Sequence, residues 1–221
     1  STALAAGTAV TVTLQGCTMG VPMTATDSVT VQTNTNPDFS SPAVSCGAIG
    51  GAVSNVTFSI AAGDRVANKT AVTATFTFTP SAGGAGATAV TLNYPSGFFA
   101  TSPTPTASVS AQGSSMTPGP PGATSIVLTV AGTALAAGTA VTVTLQGCTM
   151  GVARAATDSV TVQTTADPAA SSPAVSCGAI GGAVSNVTFS IAAGDRVANK
   201  TAVTATFTFT PSAGGAGATA V

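Results

Sequence analysis

Histidine, glutamate and tryptophan are absent from this sequence of 221 residues, and tyrosine occurs only once, as Tyr94. Without histidine, neither a Ser–His–Asp nor a Cys–His arrangement for nucleophilic catalysis can form, and the usual group for proton transfer near neutral pH is missing. The six aspartates are scattered singly, and Asp64 beside Arg65 is interpreted as a turn carboxylate rather than a calcium ligand. The sequence therefore predicts a protein that is not an enzyme and holds no cofactor or metal.

Charge is equally scarce, because Asp, Lys and Arg together make up 5% of the chain and the net charge is −1. Ordinary soluble domains carry about 25% charged residues. A basic footprint for nucleic acid is absent, and no apolar run reaches the roughly 20 residues of a membrane helix. No charged region followed by an apolar region marks a signal peptide at the start. Because weak charge repulsion favours association, the surface must be solvated by something else or buried against copies of itself.

One long repeat organises the chain. "GTAVTVTLQGCTMG" occurs at residues 7–20 and again at 138–151, and residues 1–90 match 132–221 without a gap at an offset of 131 positions. Nine pairs differ, including Pro22/Ala153 and Met23/Arg154, and five of the nine fall between positions 34 and 39. Such a period outranks other signals in a sequence, so the chain is one repeat of 131 residues and about two thirds of another.

Within the repeat, apolar and polar residues alternate with a period of two, which is typical of half-buried antiparallel strands. In "TAVTATFTFTP" the residues Val72, Ala74, Phe76 and Phe78 share one face. The same pattern recurs in 10–15, 55–60, 88–94, 107–111, 125–132 and 158–164. Gly- and Pro-rich stretches such as "PSAGGAGA" and "MTPGPPGA" separate these segments. The sequence predicts an all-β fold of tandem immunoglobulin-like antiparallel β-sandwich repeats.

We interpret the stretch "TNTNPDFSSP" at 33–42, which matches 164–173, as the joint between sandwiches because it is polar and contains proline. On this interpretation residues 1–42 are the C-terminal part of one repeat, 43–173 form one complete sandwich, and 174–221 begin the next. Termini that interrupt sandwiches indicate a window cut from a longer array.

Two cysteines occur in each repeat: Cys17 and Cys46, then Cys148 and Cys177. Without a CxxC motif or histidine, a zinc or thioredoxin-like site is not expected. An even count in a chain of extracellular composition predicts disulfides. Either local pairing, Cys17–Cys46 with Cys148–Cys177, or a Cys46–Cys148 bridge fits the spacing, and buried free thiols are the alternative.

Two sequons per repeat, "NVT" at Asn55 and Asn186 and "NKT" at Asn68 and Asn199, predict N-glycosylation. The stretch "TSPTPTASVSAQGSSMTPGPPG" at 101–122 resembles Ser/Thr–Pro segments of O-glycosylated stalks and of algal hydroxyproline-rich glycoproteins. The resemblance implies O-glycosylation or hydroxyproline at Thr101, Ser102, Pro103, Thr104, Pro105, Thr117, Pro118, Pro120 and Pro121. Sugars would replace the missing surface charge.

"TATFTFTPSAGGAGATAVTLNYPSGFF" resembles repeats of large extracellular proteins of algae and other protists, and the long repeat with its sequons resembles the protomer of a glycan-coated extracellular fibril. The resemblance implies a secreted protein, at the cell surface or outside the cell, whose partners are copies of itself and attached glycans. We expect a filament subunit or segment built from sandwiches head to tail.

An adhesin stalk or carbohydrate-binding array is the alternative function, and an exposed aromatic platform at Tyr94, Phe98 and Phe99 would distinguish it. The outward Thr-x-Thr runs also suggest ice binding, but a period of 131 residues and the twist of sandwich sheets do not favour a flat threonine ladder.

Overall fold

The computed structural model describes residue 5 and residues 7–34, 42–111 and 113–212. These residues form strands and two short 3₁₀ turns, Ala62–Asp64 and Ala193–Asp195. The strands are β1 Asp27–Val29, β2 Val44–Ser45, β3 Ser54–Ile60, β4 Val72–Thr79, β5 Ala89–Asn93, β6 Thr106–Val109, β7 Ser114–Pro118, β8 Ser125–Gly132, β9 Val141–Cys148, β10 Asp158–Thr164, β11 Val175–Ser176, β12 Ser185–Ile191 and β13 Ala205–Thr210.

Nine of these strands, β3 to β11, build an antiparallel β-sandwich. One sheet has the order β3-β4-β9-β6 and the other the order β11-β10-β5-β8-β7. The central pair of the first sheet places Phe76 opposite Val143 and Phe78 opposite Val141. In the second sheet, Leu92 of β5 lies opposite both Ile126 and Val162. The predicted all-β antiparallel fold is therefore confirmed, while its immunoglobulin-like topology stays a prediction.

The core lies between the two sheets and is filled by the apolar residues of the alternating pattern. In β4 the burial alternates along the strand, with Phe76 and Phe78 fully buried and the threonines between them partly exposed. In β9 the residues Val141, Val143 and Leu145 are buried in the same way. Two-residue periodicity thus reports which face each strand of the sandwich buries.

The buried core runs from Val53 to Ile180. The stretch 164–173, which the sequence suggests as a joint, is folded into this sandwich, since Thr164, Asp167 and Ser171 are buried. Its polar side chains and backbone groups are bound within the structure; for example, the Ser171 N–H donates to the Val162 carbonyl oxygen at 3.0 Å. Residues 51–181 also span one repeat length and enclose this core, so we refer to them below as the sandwich.

The stretch 101–122, which the sequence suggests as stalk-like, contains β6 and β7. Met116 of β7 is buried in the core, and β7 pairs with β8 from Ser114↔Gly132 to Pro118↔Leu128. A proline is tolerated there because β7 is the outer strand of its sheet. Because this stretch is rich in Pro and Gly, the alternation of apolar and polar residues did not predict the strand β7.

Two short strand pairs lie outside the sandwich. β1 pairs with β2, and the same sequences pair as β10 and β11 inside the sandwich. β12 pairs with β13 in the register of β3 and β4, with Phe189 opposite Phe207 as Phe58 is opposite Phe76. We call residues 7–34 and 42–50 the N-terminal flank and residues 182–212 the C-terminal flank.

The repeat supplies matched pairs of substitutions with identical local sequence. Phe76→Ala should lower the free energy of unfolding by about 3–5 kcal/mol, because Phe76 is 0% exposed and its removal leaves a cavity. Phe207→Ala should lower it far less, because Phe207 is 68% exposed. Chemical denaturation of the two variants measures the difference, and equal losses would contradict the core described above.

Candidate functional site: the flanks and the joint

The C-terminal flank repeats the sequence of β3 and β4 but exposes the residues that those strands bury. Val184 is 49% exposed whereas its counterpart Val53 is 2% exposed. The aromatic side chains of this flank, Phe189, Phe207 and Phe209, are exposed as well, and the rings of Phe189 and Phe207 lie 4.9 Å apart between centroids. An apolar sheet face therefore lies open beside the sandwich.

The N-terminal flank shows the same contrast with β9. Val12 is 76% exposed and Leu14 is 77% exposed, whereas their counterparts Val143 and Leu145 are fully buried. The prediction that 10–15 forms a half-buried strand is wrong for this copy and confirmed for its counterpart β9. The difference has a physical reason: β9 is paired with β4 and β6, whereas residues 10–15 are not strand-paired in the described chain.

The two flanks have complementary sequences. β4 is the strand that pairs with β9 in the sandwich, and it places Ala74, Phe76 and Phe78 opposite Leu145, Val143 and Val141. The C-terminal flank carries the β4 sequence and the N-terminal flank carries the β9 sequence, both with exposed apolar residues. The sandwich thus contains, in folded form, the pairing that each flank lacks.

Asp167 stabilises the place where the N-terminal flank meets the sandwich at Gly51, which we call the joint from here on. Its buried carboxylate accepts hydrogen bonds from the N–H groups of Gly51 and Ser81, each at 2.9 Å, and from the Ser81 hydroxyl. Thr164 Oγ1 holds the turn by accepting the N–H of Asp167 at 2.9 Å. A buried carboxylate is tolerable only with such donors. Its counterpart in the first copy is Asn36, which lies outside the described residues.

Glycines let the backbones at this joint approach closely. A Cβ on Gly83 would collide with the Ile49 carbonyl oxygen, and a Cβ on Gly84 would collide with the Asp167 carboxylate. Pro22 of the N-terminal flank packs on Gly51, and Ala153 packs on Gly182 where the C-terminal flank begins. The chain therefore enters and leaves the sandwich through the same kind of close contact, at Gly51 and at Gly182.

All four cysteines are free thiols in the structure, so neither of the expected disulfide pairings is formed. Cys148 and Cys177 are fully buried, and Cys17 and Cys46 are exposed. The Cys177 thiol is bound elsewhere: its Sγ lies 3.4 Å from Thr157 Oγ1 and donates to the Gly178 carbonyl oxygen at 3.2 Å.

The thiol pKa values of Cys148 and Cys46 are shifted in opposite directions, and burial is the main reason at Cys148. It raises the pKa of the Cys148 thiol to about 11, because desolvation penalises the thiolate. At exposed Cys46 the main effect is a hydrogen bond with the Thr26 side chain, at 3.3 Å, which lowers the pKa. Desolvation also raises the pKa of Tyr94, whose hydroxyl lies 2.9 Å from the Gly122 and Ser125 carbonyl oxygens.

All four sequon asparagines are exposed, and all four have positive φ, between 51° and 62°. The third residues of the sequons, Thr57, Thr70, Thr188 and Thr201, are exposed too. Of the candidate O-glycosylation and hydroxyproline positions, Pro105 and Pro121 are buried and Pro118 is half-buried. The exposed ones are Thr101, Ser102, Pro103, Thr104, Thr117 and Pro120. The structure thus leaves room for sugar at every sequon.

The described residues were also searched for an aromatic binding platform, a metal site and a membrane-spanning helix. The suggested aromatic platform is inside, since Tyr94, Phe98 and Phe99 are buried and Phe99 packs edge to face with the other two. Asp64 forms an ion pair with Lys69 at 2.8 Å. Among the described residues no group of three or more His, Cys, Asp or Glu side chains could hold a metal ion. No helix in the described ranges is long and apolar enough to cross a membrane.

Comparison with known proteins returns no match among protein-family models, curated proteins or solved structures.

Asp167→Asn should lower the free energy of unfolding of the sandwich by about 1–3 kcal/mol, because an amide cannot accept every hydrogen bond that the carboxylate accepts. Asp64→Asn is the matched control. It breaks an ion pair between partly exposed side chains, which contributes about 0–1 kcal/mol. Urea denaturation of both variants tests this expectation, and a loss in Asp167→Asn no larger than in the control would contradict the role of Asp167.

The raised pKa of Cys148 makes stability depend on alkaline pH. Below pH 9.0, the ordinary thiol pKa, the folded and unfolded states both hold the proton and the full stability is present. Between that pH and about 11 only the unfolded state loses the proton, so the free energy of unfolding should fall as pH rises. Cys148→Ala should flatten the profile between pH 9.0 and 10.0, measured by denaturation at each pH, whereas above pH 10.0, the ordinary tyrosine pKa, the raised pKa of Tyr94 keeps a slope in both proteins. Cys17→Ala, at the exposed counterpart, should leave the slope unchanged.

Proposed function

We propose that this chain is a structural subunit or segment of a glycosylated extracellular filament in which β-sandwiches follow one another head to tail. One observation carries the proposal: identical sequences are buried within the sandwich and exposed in the flanks. Exposed apolar area of this kind marks an interaction surface. In the sandwich these residues are covered by the pairing of β4 with β9, and we use this pairing as the template for the contact between copies.

The template gives the proposed contact a register. β13 of one copy pairs antiparallel with residues 10–14 of another, as β4 pairs with β9. Phe207 then faces Val12, and Phe209 faces Val10, in the positions of Phe76–Val143 and Phe78–Val141. Each contact removes apolar side chains from water and pairs backbone groups of both strands.

This pairing is incomplete compared with the sandwich. The flanks together carry counterparts of β3, β4, β9, β10 and β11, whereas the counterparts of β5, β6, β7 and β8 lie in neither flank. The shared core is therefore open toward the five-stranded sheet, and we expect concentration-dependent association rather than a permanent dimer.

The geometry of the contact favours a filament. The two flanks differ in sequence, so the contact joins unlike surfaces, and a pair of copies still has one free flank of each kind, one on each copy. Such heterologous contacts either close into rings or continue as open filaments. The close-packed joints at Gly51 and Gly182 support a regular filament, since they hold the flank at a fixed place on the sandwich.

Composition supports a secreted location, at the cell surface or outside the cell, with copies of the chain and covalent glycans as partners. A surface with 5% charged residues has little repulsion of its own. Exposed sequons offer a second means of solvation, since glycans are bulky and solubilising. Neither nucleic acid nor a membrane is among the proposed partners.

The competing function, an adhesin stalk or carbohydrate-binding array, has less support. Its expected aromatic platform at Tyr94, Phe98 and Phe99 is buried. Electron microscopy of material from the native source separates the two functions, because a filament gives regular fibres and a stalk gives dispersed, flexible rods.

We expect the purified chain to associate as its concentration rises, and Phe207→Asp to abolish this association, because a charge in the apolar contact would be buried without a partner. Thr206→Asp is the matched control, since it adds the same charge to the neighbouring, outward-facing position of β13. Sedimentation velocity across a concentration series measures both variants. A parent chain that stays monomeric at every concentration would overturn the proposed assembly.

Cross-linking tests the register. Thr77 lies opposite Thr142 in the sandwich, so Thr208 of one copy should lie opposite Thr11 of another. With Cys17 and Cys46 changed to serine, a mixture of Thr208→Cys and Thr11→Cys chains should form an intermolecular disulfide. Thr13→Cys, two residues out of register, should cross-link poorly with Thr208→Cys. Equal cross-linking of the two mixtures would contradict the template.

A further inference from the structure

A groove of about 380 Å3 opens between the first half of β3 and the stretch that leads into β11. Its size lies within the usual range of about 300–1,000 Å3 for small-ligand pockets. Apolar and hydroxyl groups line it together, among them Val53, Val56, Ser171, Ser172, Pro173 and Val175. One wall is firmly held, since Ser171 exchanges two hydrogen bonds with Val162, each at 3.0 Å.

Asn55 of the "NVT" sequon is itself part of the groove lining. The register of β3 against β4 moves from Ser54↔Thr79 to Thr57↔Thr77, so Asn55 and Val56 together oppose Phe78 in a β-bulge. Asn55 adopts a φ of 51° at this bulge. Bulges re-aim side chains at the edges of sheets, and β3 is the outer strand of its sheet.

We infer that this groove binds the first sugar of a glycan attached to Asn55, an inference that rests on the proposed glycosylation. The attachment tethers the sugar at the groove, so its effective concentration there is high. A pyranose ring has apolar C–H faces for Val56 and Pro173 and hydroxyl groups for Ser172, while buried Val53 closes the floor of the groove. The mixed lining suits a sugar better than a purely apolar ligand.

The chain contains a matched sequon without this groove. Asn186 has the same neighbours in sequence, the same φ of 51° and a bulge at the same register position of β12. Around it Val184 and Val187 are 49% and 63% exposed, whereas Val53 is 2% exposed and Val56 is half-buried. A glycan on Asn186 therefore meets no second wall, and only the glycan on Asn55 should stabilise the fold.

The experiment compares two triple variants secreted from a eukaryotic host. Asn68→Asp/Asn186→Asp/Asn199→Asp keeps the sequon at Asn55, and Asn55→Asp/Asn68→Asp/Asn199→Asp keeps the sequon at Asn186. Complete removal of the glycan by a peptide amidase converts the remaining asparagine to aspartate. Both variants then become the same polypeptide, which serves as a common reference for the melting temperature of the sandwich.

We expect the form glycosylated at Asn55 to melt about 2–4 °C above the common reference, the shift that a modest stabilisation produces in a domain of this size. The form glycosylated at Asn186 should melt with the reference. Trimming by an endoglycosidase that leaves one sugar should preserve the shift at Asn55, because the first sugar is the one in the groove.

Each other outcome has a definite meaning. Equal shifts in both forms, no shift at Asn55, or loss of the shift on trimming to one sugar overturns the inference about the groove and leaves the proposed filament in place. Glycosylation of Asn186 without Asn55 also overturns it. Absence of glycan from all four sequons, in this host and in native material, overturns the sugar coat of the proposed function as well.

Discussion

The pairing of β4 with β9 is the interaction on which the rest of the structure depends. These strands lie at the centre of the four-stranded sheet, and their facing residues, including Phe76, Phe78, Val141 and Val143, are fully or almost fully buried. The two strands are distant in sequence, so their pairing closes a long loop, which contains β6 of the same sheet and β5, β7 and β8 of the second sheet. Where the same sequences do not meet, as in the flanks, they remain exposed. Whether these apolar residues are buried therefore depends on the pairing of the two strands and not on the sequence of either strand.

The joint at Gly51 depends on a buried carboxylate and on close glycine contacts. Asp167 binds Gly51 and Ser81, and Gly83 allows the loop after β4 to touch the entering backbone. The C-terminal flank contains the counterparts of Gly51 and Ser81, and there the Gly182 N–H donates directly to Ser212 Oγ at 2.8 Å. The carboxylate thus separates two groups that otherwise bind each other. A joint made of specific hydrogen bonds and close glycine contacts has one preferred arrangement, which a regular assembly requires.

Alternating residues were sufficient to predict most strands of the sandwich, because a half-buried strand repeats its environment every two residues. β8 and β10 have the predicted bounds. The same signal missed β7, whose proline and neighbouring glycines are typical of turns. It also suggested 164–173 as the joint between sandwiches because the stretch is polar, whereas polar residues such as Asp167 and Ser171 are buried here through hydrogen bonds to backbone groups. No local pattern could distinguish Val12 from Val143, because their sequences are identical and only the partner strand differs.

Several exposed candidate glycan positions lie on or near the outer strands of the two sheets. β3 and β6 are the outer strands of one sheet, and β11 and β7 are the outer strands of the other. Asn55 lies on β3 and Thr117 lies on β7, while the exposed positions from Thr101 to Thr104 precede β6 and Pro120 follows β7. Unpaired outer strands invite side-by-side association, and a chain with so little charge cannot prevent it by repulsion. Sugars at both lateral edges would block that route and leave the flanks, which carry the exposed apolar residues, as the open direction of growth.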